Sequence, residues 1–178
     1  VKGINNKNYG LFSSMEGDSN ANYSKYTHIE GQNNINIKLN IVSNPPPQPA
    51  DLSHIEGSGN TNYGLASHLE GVSNVNYGTF CHSEGSSNLS YNSYSHIEGY
   101  GNSTFNLSAV ATHVEGVFNY DYSASWVHIE GQRNINYGGN VSHIEGELNI
   151  NYSEYAHVGG LFNLNYGRNS VVTGSRNI

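Results

Sequence analysis

Nine histidines stand in this 178-residue chain, and eight of them are followed two positions later by glutamate. The pairs are His28/Glu30, His54/Glu56, His68/Glu70, His82/Glu84, His96/Glu98, His113/Glu115, His128/Glu130 and His143/Glu145. An imidazole beside a carboxylate can relay a proton, contribute to a transition-metal site or form an ion pair. Active sites, however, are singular constellations, and so many equal copies read as scaffold. The chain is therefore expected not to be an enzyme, with no catalytic residue, no cofactor and no metal assigned. Its single cysteine, Cys81, excludes an intramolecular disulfide framework and a multi-cysteine zinc module.

The pairs recur because the whole chain recurs. With the glycine that closes His-x-Glu-Gly as a marker, the strong copies fall at Gly31, Gly57, Gly71, Gly85, Gly99, Gly116, Gly131 and Gly146. Weaker copies fall at Gly3, Gly17, Gly160 and Gly174. Successive markers are 14, 14, 26, 14, 14, 14, 17, 15, 15, 14 and 14 residues apart, so twelve copies of a 14-residue unit account for the chain. Histidine is always at −3 from the marker. Asparagine is at +3 in every copy: Asn6, Asn20, Asn34, Asn60, Asn74, Asn88, Asn102, Asn119, Asn134, Asn149, Asn163 and Asn177. Position +5 is usually Asn, +6 usually Tyr, and −2 is apolar in most copies, as in Ile29, Ile55, Leu69 and Ile97. Cys81 takes the −4 position held elsewhere by Ser53, Ser67, Ser95 and Ser142, so it reads as a packed serine substitute.

Composition narrows the function. Seven Lys+Arg stand against fourteen Asp+Glu, a formal net charge of −7, which argues against a nucleic-acid partner. No apolar run approaches the roughly 18 residues of a membrane helix, and no signal peptide opens the sequence. Low charge with 21 Gly and 28 Asn would suit disorder, but histidines held in a single register do not.

Fourteen residues suit one coil of a narrow solenoid, with two strands of about five residues joined by two tight turns. The turn signals are Gly at the marker and Gly or Ser near +7. His-Ile-Glu and Asn-Ile-Asn-Tyr alternate with period two, as strands do. Coils stacked ~4.8 Å apart would build a rod of roughly 55–60 Å in which like residues form ladders. Residues 1–178 are expected to be a single array. The 26-residue step extrudes a Pro-rich loop at about 39–52, where Pro45, Pro46, Pro47 and Pro49 are a candidate binding loop. The 17-residue step makes a short bulge at about 106–111. Both ends fall inside a repeat, which leads us to expect a segment of a longer fibre or a subunit that stacks end to end.

Ser-His-Ile-Glu-Gly at 53–57 and 95–99, together with Asn169-Ser170-Val171-Val172-Thr173-Gly174, resembles the YadA-like head repeat of trimeric autotransporter adhesins. That repeat carries Ser-Val-Ala-Ile-Gly, so His and Glu replace its Val and Ile here. The sequence is also similar to Ser-His-x-Glu-Gly arrays of phage and viral fibres. The resemblance implies an all-β, left-handed parallel β-roll of about twelve coils that assembles as a homotrimer. It further implies a non-enzymatic structural and adhesive rod, extracellular, on a virion or a bacterial cell. The expected partners are other copies of the chain and a host-surface protein or glycan, with no membrane insertion in this segment. The alternative is a self-assembling extracellular filament or matrix protein built by end-to-end stacking.

On that architecture −3 His and −1 Glu share one face. Three roles stand open for them: an inter-chain network that fixes register, a row of solvated pairs, or a metal site on a trimer axis. The +3 asparagines are expected to form a buried amide ladder. The +6 tyrosines and the +4 apolar residues share a face, either at a chain–chain seam or as an exposed stripe.

Overall fold

The computed structural model describes residues 1–37, 52–106, 110–123, 125–138 and 140–178. The expected loop, with its four prolines, lies outside the described residues except for Leu52. Of the expected bulge, 107–109 do too. Among the described residues there is no helix, and the chain is a parallel β-solenoid. One sheet has twelve strands, from Lys2–Ile4 to Val171–Ser175, and the other has eleven, from Lys7–Asn8 to Leu164–Asn165. Strands follow one another in chain order and pair in parallel, in register: His82 lies between His68 and His96, Glu84 between Glu70 and Glu98. A 14-residue sequence period has become a spatial period of one strand spacing.

The two sheets differ in strand length. The His-x-Glu-Gly strands run five to eight residues after the first, whereas each strand of the second sheet has two, as in Val75–Asn76, and not the five expected. Where +5 is Asn, its Oδ1 accepts the backbone N–H two residues on, as Asn76 does from Gly78 at 3.0 Å and Asn62 from Gly64 at 3.1 Å, a local turn that competes with the ladder. The strands that end at Ser90 and Thr104 are as short without it.

The corners also depart from expectation. The corners are not at the marker glycines but at +2 and −5, where non-glycine residues such as Asn33, Ser73, Tyr26, Phe80 and Trp126 have φ of 50–61°. Most such corners are held by a backbone bond to the previous coil, for example Ser73 N–H to Ser58 O at 2.9 Å. The marker glycine lies within the strand and has a different task. At Gly71, φ is +108° and a Cβ would sit 2.0 Å from the carbonyl oxygen of Gly85. That carbonyl is turned inward to accept the Nδ2 of Asn74 at 3.0 Å. Glycine at the marker and asparagine at +3 are thus one device: the amide draws in the next coil's carbonyl, and only a residue without Cβ leaves room for it.

The interior holds one apolar file and two amide files. Ile29, Ile55, Leu69, Ile97, Val114, Ile129, Ile144 and Val158 at −2 are completely buried. Opposite them run the +3 and +5 asparagines. Asn74 is typical: Nδ2 donates to Glu70 O at 2.8 Å and to Gly85 O, while Oδ1 accepts the backbone N–H of Asn88 at 3.0 Å. Both donors and the acceptor are engaged, so a buried amide carries no desolvation penalty of an unpaired group. The same three-way pattern links Asn34, Asn60, Asn88, Asn102, Asn119, Asn134 and Asn149.

Candidate functional site: three surface files

Because every coil repeats the same side-chain directions, any outward residue becomes a file along the rod. Three files are candidates for function. The first is the histidine–glutamate face of the long-stranded sheet. Rings from His28 to His157 stand 4.8–4.9 Å apart, mostly stacked. Each Nε2 faces a glutamate Oε2 of its own coil. The distance is 3.6 Å for His28–Glu30 and His54–Glu56, 3.8 Å for His68–Glu70 and 3.7 Å for His82–Glu84 and His96–Glu98. It is 3.8 Å for His113–Glu115, 4.0 Å for His128–Glu130 and 3.8 Å for His143–Glu145. His157, whose coil carries Gly159, instead lies 3.6 Å from Glu145 Oε1.

Imidazole and carboxylate do not need a neighbouring chain to meet. Positions −3 and −1 lie two residues apart on one strand, so both side chains leave the same face of the sheet and pair within the coil. Nor are the carboxylates interior groups in the chain: Glu30, Glu56, Glu70, Glu84, Glu115, Glu130 and Glu145 are exposed residues, and Glu98 is half-buried. The imidazoles are about two-fifths exposed, yet the Nε2 atoms of His68, His82, His96, His113, His128 and His143 are sealed from solvent without a hydrogen bond. Burial first, then the neighbouring imidazoles, hold His82, His113 and His143 below the ordinary histidine value. Among the described residues no three His, Cys, Asp or Glu side chains converge as a metal site.

The second file is a groove beside the histidines. Its far wall is the −5 corner, with Phe12, Tyr26, Phe80 and Tyr94. Its floor is the buried −4 position, and its near wall is the imidazoles; the volume is about 980 Å³. Cys81 lies in that floor, its Sγ 3.0 Å from Asn92 O and 3.3 Å from Ser95 Oγ, packed as a serine would be. Sequence periodicity missed this groove. The −5 residues vary in type, and only the left-handed corner shows that they project alongside −3.

The third file is tyrosine at +6 of the short-stranded sheet. Tyr63, Tyr77 and Tyr91 stack at 4.7 and 4.5 Å with interplanar angles of 4° and 2°. Tyr122, Tyr137, Tyr152 and Tyr166 continue at 5.0–5.1 Å. The rings are half-exposed, with the +4 residues half-buried beside them.

One interior residue also escaped the sequence pattern. Asp121 occupies +5, where most coils have Asn, and is fully buried. Its Oδ1 accepts from Ser123 N–H at 3.0 Å and Asn136 Nδ2 at 3.1 Å, but Oδ2 has no partner. Burial raises its carboxyl above the ordinary aspartate value. The signal was present in the register, as the one acidic residue among the +5 positions. Asn22-Tyr23-Ser24 and Asn151-Tyr152-Ser153 match the N-glycosylation pattern Asn-x-Ser, but both amides are fully buried and donate within the ladder.

Fold and files together define a repeat protein of the parallel β-solenoid, or β-roll, class. No protein family, characterised protein or solved structure matches the chain.

Proposed function

We propose that this chain is a rod-like segment of a trimeric, left-handed β-roll fibre, extracellular on a virion or bacterial cell, with a structural and adhesive role and no catalysis. The groove between the −5 corner and the histidine file carries the reading. It exposes Phe12, Tyr26, Phe80 and Tyr94 along one wall, an arrangement that a second periodic rod of the same rise would cover. A partner with the same coil spacing would meet every imidazole in the same way, so the half-sealed His–Glu pairs, already formed within each chain, would set register between chains. The equality of those pairs supports a non-enzymatic role. The tyrosine file is the surface left to present to a host protein or glycan.

Light scattering tests the assembly. A particle of three times 19.4 kDa is expected, and Phe80→Asp with Tyr94→Asp should reduce it to one chain while leaving the β-sheet circular dichroism intact. A wild-type mass of a single chain would overturn the trimer, and open-ended polymers would favour the filament instead. Acid should dissociate the trimer, and a mass unchanged between pH 8 and pH 4 would remove the inter-chain role of the pairs.

A further inference from the structure

We propose that the tyrosine file is a site of oxidative cross-linking, at which a haem peroxidase and hydrogen peroxide join the phenols of successive coils as dityrosine. This does not depend on the oligomeric state. The ground is proximity and orientation. Tyr63, Tyr77 and Tyr91 are parallel to within 4°, at 4.7 and 4.5 Å, and Tyr122, Tyr137, Tyr152 and Tyr166 form a second run at 5.0–5.1 Å. The rings are half-exposed, so an oxidant can reach them and their outer edges can tilt together. Two phenols held in this way react as neighbours within one molecule, which replaces a bimolecular encounter by a side-chain rotation.

The chemistry balances with the named oxidant. Each phenol gives up one electron and one proton, and two such losses reduce one hydrogen peroxide to two waters. The two phenoxyl radicals form one carbon–carbon bond between the positions ortho to oxygen. Each coupled carbon then releases its proton, and each oxygen regains one from solvent, restoring both aromatic rings and both hydroxyls. The product is lighter than the chain by two hydrogen atoms per link and ties adjacent coils covalently across the short-stranded sheet.

The molecule contains its own controls. Tyr26 and Tyr94 are at least as exposed as most of the file, but each stacks on a phenylalanine, Phe12 or Phe80, both at 5.1 Å, and so has no stacked phenol to couple with. Tyr9 and Tyr23 form a further stacked pair of the file, at 5.0 Å and 16°, and Phe105 interrupts the file between its two longer runs, lying 4.6 Å and 10° from Tyr122 but 6.3 Å and 26° from Tyr91.

The test treats the folded chain with horseradish peroxidase and hydrogen peroxide, then maps links by proteolysis and mass spectrometry. Links within the Tyr63–Tyr91 and Tyr122–Tyr166 runs, and between Tyr9 and Tyr23, are expected, with a yield per chain unchanged on tenfold dilution and at least fivefold lower in urea. Tyr77→Phe should abolish the first set and spare the second. Phe105→Tyr should add a link from position 105 to Tyr122 and none to Tyr91. Links concentrated at Tyr26, Tyr94 or Tyr100, a yield that falls with dilution, or no new link in Phe105→Tyr would each overturn the proposal.

Discussion

The coils on either side of the middle of the rod and those within it obey the same register, but they fill the interior differently. Around Asn62 and Asn76 the +5 ladder is continuous. Asn76 donates to Asn62 Oδ1 at 2.8 Å, to Ser67 Oγ at 2.9 Å and to Gly78 O at 2.9 Å. Beyond the middle, Asn151 and Asn165 repeat the arrangement. Between them the ladder carries Ser90, Thr104 and Asp121, and the apolar file carries Ser83, whose Oγ is buried without a partner. The buried apolar residues split accordingly into a cluster from Met15 to Leu69 and another from Val114 to Val158. What this teaches is that a backbone ladder shared by all coils tolerates local defects in side-chain filling. The defects cost stability locally without changing the fold, because neighbouring coils fix the backbone from both sides.

The largest effect should come from breaking what regular and irregular coils share. Gly71→Ala must displace the Gly85 carbonyl and adopt a φ that L-residues avoid, so a loss of more than about 3 kcal/mol is expected in urea unfolding. Gly59→Asn, at a +2 corner where Asn33 already has φ of 55°, should change stability by less than about 0.5 kcal/mol. Equal costs at the two positions would refute the account of the marker glycine.

Repairing the middle should follow in size. Asp121→Asn supplies an Nδ2 that can donate to the Ser123 carbonyl, as Asn151 does to Ser153 at 2.9 Å. A gain of about 1–2 kcal/mol is expected at neutral pH, where the wild-type carboxyl is either buried and charged or held protonated against solvent. The sign with pH follows from the raised carboxyl value. The folded chain then binds more protons than the unfolded one above the ordinary aspartate range, so wild-type stability falls as pH rises through that window. The advantage of the variant should shrink on acidification, and a constant advantage would assign the effect to packing alone. Ser83→Val removes the unpaired hydroxyl and rejoins the apolar file, with an expected gain of about 1 kcal/mol.

The smallest effect is the shared response of the histidine file. His82, His113 and His143 are held below their ordinary value, so the unfolded chain binds more protons as pH falls through about 6.5. Their contribution is therefore present above that pH and lost below it. Thermal scans at pH 7.5 and pH 5.5 should show a lower midpoint in acid, and His82→Gln with His113→Gln should flatten the difference.

Much of this was legible in the residues. The position of each histidine relative to its glycine gave the coil length, and period-two alternation put Ile29 and its equivalents on one face of the strand and His28 with Glu30 on the other. The +3 asparagines were readable as a buried ladder because no surface role requires one residue type in every copy. Other features were not readable. Gly near the marker looked like a turn, since glycine is common in turns, while the actual corners use Tyr26, Phe80 or Arg133, residue types that do not announce a left-handed backbone. The two-residue strands were hidden because an asparagine can either extend a strand or end it, depending on where its Oδ1 finds an N–H. Shared sidedness put Glu56, Glu115 and Glu130 on the face of their histidines, but only the folded strand showed each carboxylate reaching the imidazole of its own coil.

The sequence by itself determined the period, the register and the sidedness of each position, because these depend only on local alternation and on repetition. Tertiary structure decided the rest: which carbonyl each amide receives, why the marker must lack a Cβ, how the −5 corners and histidines form a groove, and how closely the tyrosine rings approach. Those features arise between residues of successive coils, such as Asn74 and Gly85, and they exist only once one coil lies on the next.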